Sequence, residues 1–216
     1  PANDAQMVLL NSDGSRAEIS GNGIRCMAQA LLAHAIRATP GSAPADSLAI
    51  ETDGGLRCVE LDAGDPSATM SLTVEMGEPR SGPPVSAAAS AFGASHVATV
   101  DIGNPHLVLC VTDPDAVELS VEGPRLEADY PAGINVHFVS VDQAGEIDLR
   151  VWERGAGITL ACGSGAVAAA AAAHGWGLVE RSVKVRMPGG VARVGIADGS
   201  VRLTGPSTFV ATVTVP

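Results

Sequence analysis

The feature that most constrains the fold is a run of eight apolar residues at 166–173, seven of them alanine and one valine. Alanine has the highest helix propensity of the amino acids, so the run predicts a helix. This helix has no polar side, and a helix that is apolar all round has to be covered over most of its surface. A curved β-sheet wrapped around the helix provides that cover, so the sequence predicts a mixed α/β fold with a buried central helix.

A second apolar helix is predicted near the start of the chain, over about 21–36. Its interior is rich in alanine and leucine, and a Pro-Gly-Ser stop signal follows at 40–42. Runs of strand-forming residues surround both helices. They lie at 5–10, 47–52, 56–61 and 69–74 in the first half, and at 97–102, 107–111, 134–141, 147–152, 183–187, 191–196, 201–203 and 209–215 in the second.

The two sets of elements predict two pseudo-symmetric domains, 1–92 and 93–216, each with a sheet around one apolar helix. A stretch at 78–90 that is rich in proline and serine is the predicted linker. The last predicted strand either belongs to the second domain or returns to lie beside the strands of the first.

Both predicted helices begin with the same motif, a small side chain with a nucleophilic atom followed by Gly-x-Gly, at 20–23 and 162–165. A polar residue stands nine positions earlier in each copy, Asn11 in the first and Glu153 in the second. The repetition predicts a duplicated site whose copies face each other. Glycines at a helix start let the backbone approach a ligand, and the free N–H groups and helix dipole favour an anion such as a carboxylate. The same field predicts a pKa for Cys162 lowered from about 8.5 into the range of about 3.5–7.5.

The composition narrows the classes of partner. The formal net charge of −11 at pH 7 disfavours binding to nucleic acid or to an anionic membrane surface, and leaves an anionic or zwitterionic metabolite. No apolar run reaches membrane-spanning length and no signal-peptide pattern is present, so we expect a cytoplasmic protein. The four cysteines are widely spaced, which argues against a disulfide framework or a metal site. Three of them are interpreted as buried structural thiols: Cys26, Cys58 and Cys110.

Four motifs occur in an order that resembles one known family. Cys162 lies in a glycine-rich segment at 152–165, the first Gly-x-Gly copy lies within 11–26, and shorter motifs lie at 103–106 and 133–136. Together these segments are similar to the motifs of diaminopimelate epimerases, and they span most of the chain. The resemblance implies two α/β domains, each a curved, mostly antiparallel sheet around a central apolar helix, with the active site in the cleft between them.

The resemblance also implies a reaction. Members of the family interconvert L,L- and meso-diaminopimelate in lysine and peptidoglycan precursor synthesis, with one proton-transfer group on each face of the substrate Cα. No pyridoxal cofactor and no metal take part, and the partner is a small-molecule substrate. A homodimer is expected only on the base rate for soluble proteins.

The site residues follow from the resemblance, motif by motif. The catalytic positions are Cys162, Ser20, His106 and Glu153. The substrate-binding positions are Asn11, Gly21, Asn22, Asn104, Asn135, Glu153, Arg154, Gly163 and Ser164. Those at the two helix starts match groups that bind the carboxylate at the reacting carbon, and the asparagines at 11, 104 and 135 with Arg154 match groups that read the other end of the substrate.

Ser20 departs from the family pattern, because a second catalytic cysteine is expected at this position. A serine hydroxyl is much less acidic than a thiol and is a poor base without a dedicated partner. We therefore expect epimerisation by this chain to be impaired. The resemblance also implies roughly fifty further residues ahead of the first motif, so the first domain is expected to be incomplete.

Three other interpretations stay open. A catalytically silent homologue would bind diaminopimelate without turning it over, and a racemase of the wider superfamily would act on another amino acid, such as proline. A hydrolase that uses Cys162 and His106 is the weakest of the three, because no acyl-transfer motif accompanies the pair. The remaining histidines are interpreted as surface or structural residues: His34, His96, His137 and His174.

Overall fold

The computed structural model describes residues 3–10, 14, 16–39 and 45–214. Within these ranges the helices are α1 (Gly21–Ala38), α2 (Ala87–Ser90), α3 (Leu119–Glu127) and α4 (Gly163–Gly175). The strands are β1 (Ala5–Gln6), β2 (Leu9–Leu10), β3 (Arg16–Ala17), β4 (Ser47–Thr52), β5 (Gly55–Gly64), β6 (Thr69–Gly77), β7 (Arg80–Ser81), β8 (His96–Asp101), β9 (Pro105–Cys110), β10 (Asn135–Val141), β11 (Ile147–Glu153), β12 (Gly157–Thr159), β13 (Ser182–Met187), β14 (Gly190–Ala197) and β15 (Ser200–Thr208). The fold is mixed α/β and dominated by its sheet, as the sequence predicts.

Thirteen strands form one sheet in the order β1-β4-β5-β6-β15-β14-β13-β11-β10-β9-β8-β7, with β12 paired to β11. Three pairs are parallel, β1 with β4, β9 with β10, and β11 with β13. The other pairs of this sheet are antiparallel. The strands β2 and β3 pair separately.

Helix α4 lies inside this sheet. It packs against β8, β9, β10, β11, β13, β14 and β15, and residues 166–170 are fully buried. The prediction that the alanine-rich helix is wrapped by strands is therefore confirmed. Small alanine side chains let the strands approach the helix closely, and valine, leucine and isoleucine supply most of the remaining core.

Helix α1 packs on β5, β6 and β15 through an apolar face that includes Ile24, Ala28 and Leu32. Its N-terminal end also contacts α4. Strand β15 pairs with β6 over residues 201–208, so the last strand lies beside strands of the first half. The division into domains 1–92 and 93–216 stays a prediction.

Several local predictions differ from the structure. The expected strand at 5–10 is divided into β1 and β2, and the expected linker contains β7 and α2. The prediction of a strand at 209–215 is wrong for residues 209–214, which have no regular structure, because β15 takes the pairing positions on β6 as far as Thr208. Helix α3 and strand β12 were not expected.

The interpretation of three cysteines as buried thiols is correct for Cys110 and wrong for Cys26 and Cys58, which are exposed. Cys58 falls on the outward-facing side of β5, where buried and exposed residues alternate. No helix in the described part of the chain is long and apolar enough to cross a membrane.

Candidate active site

The two Gly-x-Gly motifs adopt the same local structure. Ser20 caps α1 from an extended backbone at φ −140° and ψ 111°, and Cys162 caps α4 at φ −128° and ψ 115°. The Oγ of Ser20 accepts a hydrogen bond from the N–H of Gly23 at 3.0 Å, and the Sγ of Cys162 accepts one from the N–H of Gly165 at 3.4 Å. The duplication read from the sequence is therefore a duplication of helix caps.

The two helix starts also face each other. A Cβ built on Gly163 would lie 3.1 Å from the Cα of Gly21 and 3.2 Å from the backbone nitrogen of Asn22. A Cβ on Gly21 would lie 2.6 Å from the Cδ2 of Leu203 on β15. Glycine at these two positions is what allows the N-terminal ends of α1 and α4 to meet.

A cavity of about 180 Å³ lies at this junction. Ten of the predicted site residues line it: Ser20, Gly21, Asn22, Asn104, Asn135, Glu153, Arg154, Cys162, Gly163 and Ser164. Asn11 lies outside the described residues. His106 does not line the cavity but lies behind Asn104, to which it is hydrogen-bonded.

Cys162 is buried with a protonated thiol. Burial, and after it the Glu153 carboxylate, raise the pKa of Cys162 to about 12, against hydrogen bonds from Ser164 and Gly165 that act in the opposite direction. The prediction of a lowered pKa is therefore wrong, because the loss of solvation outweighs the helix terminus. A thiol with this pKa carries its proton at neutral pH, so it can donate a proton and is a poor acceptor of one.

Glu153 is held close to this thiol by a neighbouring strand. Its Oε1 accepts a hydrogen bond from the hydroxyl of Thr159 at 2.5 Å, and Thr159 ends β12, which folds back on β11. The hairpin thus fixes a carboxylate beside the thiol and explains the direction of its effect on the Cys162 pKa.

Arg154 enters the cavity from the second half of the chain and pairs with a residue from the first. Its Nη2 donates to Oε2 of Glu18 at 2.5 Å, and its Nη1 donates to the carbonyl of Ala132 at 3.2 Å. Gly133, at φ +72°, leaves room for this side chain, since a Cβ there would lie 2.4 Å from Cδ of Arg154. Glu18 also lines the cavity. Sequence reasoning missed Glu18, although its position two residues before Ser20 was a usable signal.

The amide of Asn22 ties the two helix starts together. Its Nδ2 donates to the carbonyl of Ala161 at 3.3 Å, and its Oδ1 accepts from Nη2 of Arg25 at 2.9 Å. Arg25 is buried and also donates to the carbonyl of Gly21 at 3.3 Å. The side chain of Asn22 is thereby engaged in structure, which leaves its backbone N–H as the group that faces a ligand.

Two asparagines complete the cavity wall, Asn104 from the bend just before β9 and Asn135 from the start of β10. Asn135 donates from Nδ2 to the carbonyl of Pro105 at 2.9 Å and accepts at Oδ1 from the backbone N–H of Arg154 at 3.1 Å. Asn104 accepts at Oδ1 from the ring of His106, at 2.8 Å from Nε2. The other ring nitrogen of His106 is 2.7 Å from Nε2 of His137. Both nitrogens of His106 are therefore engaged away from Cys162, which argues against the hydrolase interpretation.

No group of three or more histidine, cysteine, aspartate or glutamate side chains is arranged to hold a metal ion among the residues that the structure describes. The cavity instead offers backbone N–H groups at two helix starts, one arginine, two carboxylates and amide groups. This set matches a zwitterionic ligand with at least one carboxylate.

Comparison of the sequence with known proteins shows the family to which the chain belongs. The family model for diaminopimelate epimerase matches residues 98–210. A diaminopimelate epimerase from Rhizorhabdus wittichii is 40% identical over 222 residues, covering 97% of this chain and 74% of the relative. The chain belongs to the diaminopimelate epimerase family. A second diaminopimelate epimerase, from Desulfitobacterium hafniense, is 37% identical and is matched over 96% of this chain and 76% of its own length.

Solved structures agree with this membership at the level of the fold. A hydroxyproline epimerase from Agrobacterium vitis superposes with a TM-score of 0.72 at 19% identity, covering 97% of this chain and 71% of that one. A phenazine biosynthesis protein from Bacillus anthracis superposes with a TM-score of 0.61 at 13% identity, covering 95% and 80%. This chain thus shares its fold with an epimerase of another substrate, so the fold alone does not identify the substrate.

Proposed function

We propose that this protein is a cytoplasmic, cofactor-independent isomerase that inverts one α-carbon of diaminopimelate, in lysine and peptidoglycan precursor synthesis. The observation that carries the proposal is the pair of matched helix caps, Ser20 and Cys162, at one cavity. Two groups at one cavity suit a reaction that needs a proton removed from one face of a carbon and delivered to the other. Membership of the family supplies the substrate class. A homodimer stays a prediction.

The helix starts supply the site for the carboxylate at the reacting carbon. The first intrahelical hydrogen bonds are donated by Ile24 and Ala166, and the N–H groups of Gly23 and Gly165 donate to the two cap side chains. The N–H groups of Gly21, Asn22, Gly163 and Ser164 therefore have no partner within their helices. Both helix dipoles point their positive ends at the cavity. As the α-proton leaves, negative charge spreads into the carboxylate, and fixed N–H groups stabilise that charge without reorganisation.

The proton-transfer groups are unequal in this chain. Cys162 rests as a thiol, which delivers a proton to the carbanion on its side of the carbon. For the reverse role it has to lose its proton, and the ammonium group of a bound substrate favours the thiolate by charge. The Ser20 hydroxyl has no such route, because its acidity is too low for it to act as a base at neutral pH. We therefore propose that inversion is slow while proton exchange on the Cys162 side persists.

Deuterium incorporation tests this division of roles. L,L- and meso-diaminopimelate are incubated separately in D₂O, and the label at Cα and the configuration are followed by mass spectrometry and chiral chromatography. We expect label from one stereoisomer without matching inversion, retained in Ser20→Ala and lost in Cys162→Ala. Absence of label from both stereoisomers, or label that survives Cys162→Ala, would contradict the proposal.

A second candidate function is binding without turnover, and Ser20 is the observation that favours it. Its hydroxyl serves as the cap of α1, a structural role that requires no chemistry. Calorimetric titration with meso-diaminopimelate distinguishes the candidates, since a binding protein gives saturable heat and no deuterium label. Competition by L-proline would instead support the racemase alternative, because proline has no second carboxylate for Arg154 to bind.

A further inference from the structure

We propose that His137 is a positioning residue that acts through His106 to turn the amide NH₂ group of Asn104 toward the cavity. The proposal rests on the proposed function only for the ligand that this NH₂ group meets, a carboxylate of the substrate. The arrangement of the three side chains is observed in the structure and does not depend on the proposed function.

The three side chains form a continuous hydrogen-bonded chain. Nε2 of His137 is 2.7 Å from Nδ1 of His106, and Nε2 of His106 is 2.8 Å from Oδ1 of Asn104. Both imidazoles are 0% exposed, and their ring centroids are 4.9 Å apart with an interplanar angle of 28°. Asn104 alone of the three lines the cavity.

The direction of the donors follows from what each atom can do. A neutral imidazole has one N–H donor and one acceptor nitrogen. The Oδ1 of Asn104 can only accept, so Nε2 of His106 donates to it and Nδ1 of His106 accepts from Nε2 of His137. The Nδ1 of His137 is then an acceptor, and it has no hydrogen-bond partner among the described residues.

Reversing the donor directions in these hydrogen bonds would leave an unpaired donor at the buried end, on His137. With the amide of Asn104 turned over, His106 would have to donate from Nδ1, and the lone hydrogen of His137 would move to its Nδ1. That atom would then be a buried N–H donor without a partner, and buried N–H groups are left unpaired less often than acceptors are. The unpartnered atom of His137 therefore sets the orientation of Asn104 two side chains away.

Its surroundings hold His137 in place. The residue lies on β10, in the interior of the sheet, and its ring packs on Gly165 near the start of α4, where a Cβ would lie 2.5 Å from Cε1. Burial lowers the pKa of His137 to about 3 and that of His106 well below its usual value, with His137 and Arg154 adding to the effect on His106. Both rings are neutral at physiological pH, so each keeps a single N–H.

The consequence for the site is the identity of the group that Asn104 presents. With Oδ1 engaged by His106, the two N–H bonds of Nδ2 are the part of the amide left for a ligand, and they suit a carboxylate. An amide turned by 180° would present Oδ1 instead and repel the same carboxylate. Without the donor on His137, neither orientation is enforced.

Nitrogen-15 NMR of the unliganded protein tests the chain directly. We expect both rings to be neutral Nε2–H tautomers between pH 6 and pH 8. In His137→Phe, the ring of His106 should no longer be held in the Nε2–H tautomer. An Nδ1–H tautomer at His106 in the wild-type protein would overturn the proposal. This readout requires no substrate, so it stays decisive if the proposed function fails.

Binding variants then test the link to the cavity. For meso-diaminopimelate, His137→Phe and Asn104→Ala should each weaken binding about tenfold, and the double variant should lose little more, because both remove the same oriented donor. His137→Gln, which keeps an N–H donor near the position of Nε2, should restore most of the affinity, and His174→Phe serves as a control away from the cavity. Additive losses, or equal losses with Phe and Gln, would show a merely structural role and overturn the proposal.

Discussion

At the scale of single residues, Ser20 and Cys162 show that equal geometry does not give equal chemistry. Both cap a helix with nearly the same backbone angles and accept a bond from the third residue of that helix. Their atoms differ in acidity, and the burial that suits a structural cap also suppresses ionisation of the Cys162 thiol. The cavity is thus lined by a buried, protonated thiol and by the less acidic hydroxyl of Ser20.

Alkylation of the four cysteines checks the state of the thiol. With a pKa of about 12, only about one Cys162 in ten thousand is a thiolate at pH 8, and its side chain is buried. Iodoacetamide should label the exposed Cys26 and Cys58 in the native protein and leave Cys162 free until urea is added, as read by peptide mass spectrometry. Native labelling of Cys162 as fast as that of Cys58 would show an ionised or accessible sulfur.

The sequence predicted those site residues that lie within recognisable motifs. Ten of the predicted positions do line one cavity. Glu18 and His137 were missed because their importance comes from contacts with Arg154 and His106, which are far away along the chain. The pKa of Cys162 was predicted in the wrong direction, since a motif shows the helix start but not the depth of burial.

At the scale of elements, the helices α1 and α4 were predictable because caps and stop signals are local. Helix α3 could not be predicted from the sequence, since Gly123 and Pro124 both disfavour a helix. The structure shows why glycine is there, as a Cβ on Gly123 would lie 2.5 Å from Trp152. The sequence predicts that this strand ends at residue 203, whereas β15 continues to Thr208, and contacts distant along the chain again explain the difference. The length of β15 is set by its pairing with β6, and its Gly205 faces the guanidinium of Arg25.

A pair of glycine variants in α4 tests the meeting of the two helix starts. Gly163→Ala should lower the free energy of unfolding by about 1–3 kcal/mol and weaken substrate binding, because its Cβ meets the backbone of α1. Gly175→Ala, in the same helix with nothing within 4 Å of a Cβ, should be neutral or stabilising by up to about 1 kcal/mol. Urea titration measures both. Equal effects in the two variants would refute the close approach.

At the scale of the whole molecule, the sheet is continuous because β15 joins β6 to β14. The cavity draws its walls from segments on both sides of this join, and Glu18 with Arg154 and Asn22 with Ala161 link them directly. The buried pair His106 and His137 lies within the same structure, so their protonation is coupled to folding of the molecule as a unit.

Acid stability measures that coupling. Burial depresses the folded-state pKa of both histidines below 6.5, so their contribution is present above pH 6.5 and is lost as the pH falls below that value. For His137 the loss amounts to about 2 kcal/mol between pH 7.5 and pH 5. Urea unfolding at pH 7.5 and pH 5.0 should show this difference reduced in His137→Phe and unchanged in the exposed control His34→Gln. A pH dependence that is the same in all three proteins would contradict the buried neutral pair.

The measurement that tests the central claim most directly is the rate of diaminopimelate inversion in Ser20→Cys, followed by chiral chromatography beside the wild-type protein and Ser20→Ala. If Ser20 and Cys162 serve opposite faces of one carbon, a thiol at position 20 completes the pair, and inversion should rise by at least about 100-fold, while Ser20→Ala stays at or below the wild-type rate. An unchanged or lower rate in Ser20→Cys, in a protein that still binds diaminopimelate, would contradict the assignment of the second proton-transfer group to this position.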